Sequence, residues 1–146
     1  MDRNTNCLMK YNALYKENDD IYRQFAKKMN ISESELWILY VMRLYGEGLT
    51  QKELCDVVFM PKQSVNTALK KMEKDGYIVL EYAENSRKNK VIKFTEKGLR
   101  HSKKTADKII EAERSVFAHF SDEEIEFWFE INDRFGKILK MTTLEE

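Results

Sequence analysis

At Gly76 the apolar rhythm of the chain changes from a period near 3.6 residues to a period of 2, and no other feature restricts the fold as much. Upstream, PKQSVNTALKKMEKDG (61–76) opens on the chain's single proline and sets Val65, Ala68, Leu69 and Met72 in one narrow stripe. Proline suits the first position of a helix, where its missing N–H is an orphan in any case, and glycine suits the left-handed residue that ends one. Met60, the residue before the proline, offers no side-chain acceptor for a cap. Downstream, Tyr77–Tyr82 and Lys90–Phe94 alternate as two β-strands, with Ile78, Leu80 and Tyr82 on one face. The charged loop 83–89, with Asn85, Ser86, Arg87 and Lys88, joins them into a hairpin.

Helices surround this unit. Tyr11, Tyr15, Tyr22, Phe25 and Met29 recur at helical spacing and predict a first helix over about 6–29. Ser32 caps a second helix, with Glu35 reaching back to it and Ile31 stapled onto Leu36, until Gly46 and Gly48 stop it. Thr50 and Glu53 repeat the capping box for a short third helix at 51–58. Thr95 caps a long helix to about His119, and Ser121 with Glu124 boxes a last one over 122–141. The fold class is therefore mainly α with a small β-hairpin wing (α+β): one domain over 1–146. A winged helix-turn-helix lobe at about 32–98 is flanked by dimerisation helices at about 6–29 and 96–141.

Short helix, tight link, helix and hairpin are the parts of a unit that lays one helix in a DNA major groove, its first residues meeting base edges. Stepping 100° per residue places Gln63, Thr67, Lys70 and Lys74 opposite the apolar stripe of 61–75, flanked by Asn66 and Lys71. Gln and Asn bond adenine in bidentate fashion, Ser and Thr serve several partners, and lysines suit phosphate or guanine. The predicted DNA-binding residues are Lys62, Gln63, Ser64, Asn66, Thr67, Lys70 and Lys71, with Arg87 and Lys88 on the wing. Net charge is zero over 146 residues, yet residues 61–104 carry 12 Lys or Arg against 5 Asp or Glu. The flanks balance this middle, with 8 basic against 9 acidic residues in 1–60 and 5 against 11 in 105–146. The field near a surface follows the local charge, so a polyanion would meet a basic centre.

From end to end the chain resembles the MarR family of bacterial transcription regulators. The likeness rests on LTQKEL at 49–54, the segment 61–75 running into DGYI at 75–78, FTEKG at 94–98, and the flanking helices. It implies a homodimer that binds a palindromic operator and is released by a small phenolic or by oxidants. Many members carry Asp-x-Arg at the wing tip; here Ser86-Arg87-Lys88 stands there, so the bracing Asp is absent and the wing remains basic.

A homodimer also has support in the residues themselves. On the last helix Trp128, Ile131, Phe135 and Ile138 belong to an apolar arc of roughly 200°, wider than the ~100° that one core needs, and they predict a subunit interface. Tyr11, Tyr15, Trp37 and Tyr40 are candidates for lining a pocket for a small aromatic ligand. No cofactor is expected. His101 and His119 share one helix without neighbouring ligands, which speaks against a metal site, and no nucleophile–base–orienter set or phosphate loop speaks for an enzyme. Cys7 and Cys55 are far apart, so no disulfide framework is expected. Cys55 reads as a small buried hydrophobe, while Asn6 and Leu8 give Cys7 no activating charge. With neither a signal sequence nor a membrane-length apolar run, the expected location is the cytoplasm. The rival reading is a winged helix that serves only protein–protein interaction, which would need neither the amide-bearing face nor the basic middle.

Overall fold

The computed structural model describes residues 2–58, 60–84, 86 and 88–144, arranged as two compact units, residues 1–109 and 110–146. The first unit holds α1 (Arg3–Lys28), α2 (Glu33–Tyr45), α3 (Gln51–Val57), α4 (Lys62–Lys74), β1 (Ile78–Tyr82), β2 (Lys90–Phe94) and α5 (Glu96–Lys104). α6 (Ala106–Phe117) carries the boundary, and α7 (Asp122–Leu144) belongs to the second unit.

α2 is the hub of the first unit. Leu36, Ile38, Leu39, Val41 and Met42 are all buried, so apolar groups surround the helix instead of lining one stripe. Val65, Ala68, Leu69 and Met72 of α4 are buried as the periodicity predicts, together with Leu54 of α3 and Ile78 and Ile92 of the hairpin. β1 and β2 pair antiparallel, with Ile78 opposite Phe94 and Leu80 opposite Ile92. Tyr82, expected on the same face as Ile78 and Leu80, lies at the far end of the hairpin and is 61% exposed. A single bridge between Thr50 and Val91 adds the stretch before α3 to the edge of β2, with Ile92 N–H donating to Leu49 O at 2.8 Å.

Local signals explain most boundaries. α1 and α4 end alike, on a left-handed residue (Asn30 at φ 55°, Gly76 at φ 76°). Bonds from Ile31 N–H to Ala26 O at 3.1 Å and from Tyr77 N–H to Met72 O at 2.9 Å close the two ends. The capping boxes of α3 and α7 form, with Thr50 N–H donating to Glu53 Oε2 at 2.7 Å and Ser121 N–H to Glu124 Oε2 at 2.9 Å. α1 begins three residues before the predicted start, because Asp2 accepts from Asn4 N–H and Thr5 N–H. Pro61 is the cap of α4 and not its first residue; its extended ψ of 139° leaves its carbonyl to accept from Ser64 and Val65 N–H.

Two expectations are overturned. The helix predicted from Thr95 to His119 is two helices, broken at Thr105 (φ −125°, ψ −93°), and His119 lies beyond α6. The Thr105 hydroxyl donates to His101 O at 2.8 Å, the local competition by which a threonine interrupts a helix. Arg43 of α2 then clamps Asp107 in the first turn of α6 through two bonds of 2.7 and 2.8 Å. The second correction concerns Glu35. Ser32 does cap α2, accepting from Glu35 N–H at 3.1 Å, but the Glu35 side chain points into the core.

In the second unit α7 has no buried residue among those described; Trp128, Ile131, Phe135 and Ile138 are 43–53% exposed. The Trp128 ring stacks on Phe117 at 5.7 Å. Among the described residues no helix is long and apolar enough to cross a membrane.

Gly98, the glycine of FTEKG, permits the closest approach among the glycines: a Cβ there would lie 1.8 Å from Tyr77 O. Backbone cannot yield as a flexible side chain does. Gly98→Ala is therefore expected to lower the unfolding free energy by about 3 kcal/mol in urea titrations, and a loss under about 1 kcal/mol would show that α5 can move away.

Candidate nucleic-acid interface

α4 exposes what its apolar stripe leaves over. Lys62, Gln63, Thr67, Lys70 and Lys74 are exposed, while Ser64 and Asn66 are half-buried beside the stripe. The Thr67 hydroxyl donates to Gln63 O at 3.0 Å, which leaves its oxygen free to accept. Asn66 Oδ1 is the one buried side-chain polar atom without a hydrogen-bond partner among the described residues.

Lys71 differs from the other lysines. Its Nζ is 2.7 Å from Asp75 Oδ2 and 3.7 Å from Glu35 Oε2. The hydrogen bond to Asp75 is the main reason its pKa is raised, and the same bond holds the Asp75 carboxyl below the usual range. Lys71 is thus compensated from within, whereas no ion pair engages Lys62, Lys70 or Lys74 among the described pairs.

At the wing, Ala83 N–H donates to Asn89 O at 2.9 Å and closes the loop. Ser86 occupies the place of the missing brace. Its hydroxyl accepts from Lys88 N–H at 3.2 Å and Asn89 N–H at 2.9 Å and so braces the loop backbone. Lys88 and Lys90 are exposed, the latter 5.4 Å above the Tyr82 ring. Arg87 lies outside the described residues.

The four aromatics expected to share a pocket are not gathered into one cavity. Tyr11 and Tyr15, 6.2 Å apart, line an open depression with Asn12, Lys16 and Asp19, all on α1. Trp37 and Tyr40 do not line it; Trp37 lies between Tyr22 at 4.9 Å and Tyr40 at 5.4 Å. Cys7 is exposed, and Cys55 is half-buried against the core. Sequence reasoning missed one buried contact: Glu35 Oε1 is 2.7 Å from His101 Nε2. With the partners 66 positions apart, no local pattern could have announced it.

A short helix packed on α2, a second helix with its polar face outward, and an antiparallel hairpin make a winged helix-turn-helix. Residues 28–88 match the model of the MarR family. That segment runs from the end of α1 to the tip of the hairpin. An uncharacterised HTH-type transcriptional regulator of Bacillus cereus is 29% identical over 82 residues, 56% of this chain and 53% of its own. The chain thus spans about half the length of the curated relatives it matches. A MarR family regulator from Neisseria meningitidis has the same fold, with a TM-score of 0.78 at 21% identity over 99% of both chains. A putative MarR family regulator from Listeria monocytogenes, solved with a 26mer DNA, gives a TM-score of 0.66 at 19% identity over 95% of both.

An unpaired amide oxygen and a poor helix former at one position both act against stability. Asn66→Ala is expected to raise the unfolding free energy of the DNA-free protein by about 1 kcal/mol. A loss of similar size in thermal melts would show that the amide is satisfied after all.

Proposed function

We propose that the protein is a sequence-specific DNA-binding transcriptional regulator, a homodimeric repressor of a palindromic operator. The observation that carries this is the outer face of α4, where Gln63, Thr67, Lys70 and Lys74 are exposed opposite the buried stripe and Lys62 is exposed in the first turn. The match of residues 28–88 to the MarR family model supports it, as does the likeness to an HTH-type transcriptional regulator of Bacillus cereus. Gln63, Ser64 and Thr67 would meet base edges, joined by Asn66 once its side chain turns outward. Lys62, Lys70, Arg87 and Lys88 would neutralise phosphates. A module for protein contacts alone has no use for unpaired lysines and an exposed amide on one face.

The exposed apolar face of α7 supports dimerisation through Trp128, Ile131, Phe135 and Ile138. Two copies would set their α4 helices about 34 Å apart, one turn of the duplex. The single-domain reading over 1–146, with its DNA-binding lobe at about 32–98, and a cytoplasmic location accompany this proposal. A small aromatic ligand fits the Tyr11–Tyr15 depression better than the Trp37–Tyr40 pair, whose tryptophan is packed against Tyr22. Ligand binding that weakens DNA binding must itself be weakened by DNA.

Gln63→Ala should cost about 1–3 kcal/mol at the operator and relax one base pair per half-site. Lys88→Ala should weaken all duplexes alike and lower the salt slope by about 1 per subunit. Titrations of operator and scrambled duplex at several salt concentrations measure both effects. Equal losses on the two duplexes for Gln63→Ala would remove α4 from sequence reading. In sedimentation, the wild type should be a dimer and Phe135→Asp with Ile138→Asp a monomer; a monomeric wild type would end the palindrome reading. Salicylate at millimolar concentration should raise the melting temperature of the wild type and not of Tyr15→Ala; equal shifts would place the ligand elsewhere.

A further inference from the structure

Glu35 is the only charged side chain in the core among the described residues, 3% exposed in the first turn of α2. A buried carboxylate is tolerated only when paired and hydrogen-bonded. Glu35 has both oxygens engaged: Oε1 is 2.7 Å from His101 Nε2 of α5, and Oε2 is 3.7 Å from Lys71 Nζ of α4. A nitrogen and an oxygen 2.7 Å apart share one proton. Oε1 is thus taken by the histidine, and Oε2 is the oxygen left to face the lysine.

The partners converge on one place, the end of α4 and its exit into the wing. The His101 ring lies parallel on Tyr77 at 4.1 Å, and Tyr77 leads from Gly76 into β1. Lys97 Nζ stands 5.1 Å above the same ring and donates to Asp75 O at 2.6 Å, while Lys71 donates to Asp75 Oδ2 at 2.7 Å. Thr95 Oγ1 donates to Gly76 O at 2.6 Å. Side chains from α2 and α5 thus hold the last turn of α4 and its exit into the wing.

We propose that Glu35 and His101 are positioning residues for sequence reading, and that Lys71, although 63% exposed, is a strut of the same network and not a phosphate contact. The inference rests on the proposal that α4 reads bases. Hydrogen bonds to base edges demand tight placement of the helix that carries them, whereas phosphate contacts carry no sequence information. Loosening the network should therefore reduce discrimination more than overall affinity.

The test measures dissociation constants for an operator chosen by selection and for a scrambled duplex, each well below the melting temperature of the variant used. Glu35→Gln and His101→Gln should lower the operator-to-scrambled preference roughly fivefold or more, the lower end of one base contact, and change scrambled binding less than about twofold. Lys71→Met should do likewise and leave the slope of affinity against salt unchanged. Folded variants that keep the wild-type preference would overturn the proposal, as would a Lys71→Met slope reduced by about 1 per subunit. Should Glu35→Gln fail to fold, His101→Gln decides, because that side chain is 20% exposed and easier to replace. A wild type without any preference would sink the base-reading proposal and this one with it; a wild-type preference untouched in all three variants would sink this one alone.

Discussion

The face that α4 presents to the outside depends on the packing of one narrow stripe, Val65, Ala68, Leu69 and Met72, against α2. The three larger side chains contribute about 1.5–3 kcal/mol each by leaving water, enough to fix which way α4 faces. A stripe that narrow leaves most of the helix circumference uncovered. The polar residues there are exposed because burial is claimed elsewhere, and the two sides of α4 cannot be exchanged without losing the core.

Charge is distributed to the same end. The chain as a whole is neutral, so its long-range field is weak, but the acidic residues crowd into the N- and C-terminal segments and the basic ones into 61–104. At a Debye length of about 8 Å in physiological salt, a phosphate at α4 or the wing responds to Lys62, Lys70 and Lys88 and hardly to distant carboxylates. Lys71 shows that position counts as well as charge. Its side chain is 63% exposed, yet two acidic neighbours already compensate its charge.

Local signals in the sequence were the legible ones. The stripe of α4, the Gly76 turn, the two strands of the hairpin and the capping boxes at Thr50 and Ser121 are each carried by a short stretch of sequence, and the structure has all of them. What escaped depends on residues far apart in sequence. Glu35 has the spacing of a capping-box acid, yet a histidine 66 positions away claims it. The break at Thr105 is signalled by no glycine or proline, and the clamp of Asp107 by Arg43 spans 64 positions. Asn66 sits on the flank expected for a base reader, but the helical wheel could not say that its amide oxygen would be enclosed. For the pocket, helical spacing put Tyr11 and Tyr15 on one helix face and could not place them relative to Trp37 and Tyr40.

The central claim is that the outer face of α4 reads a two-fold symmetric duplex. Repeated selection of the purified chain against a pool of random duplexes, followed by sequencing, tests it most directly. The winged-helix reading predicts a single enriched motif of two inverted half-sites, centred about 10 base pairs or a multiple of that apart. Enrichment of no motif, with binding that merely tracks duplex length, would contradict it.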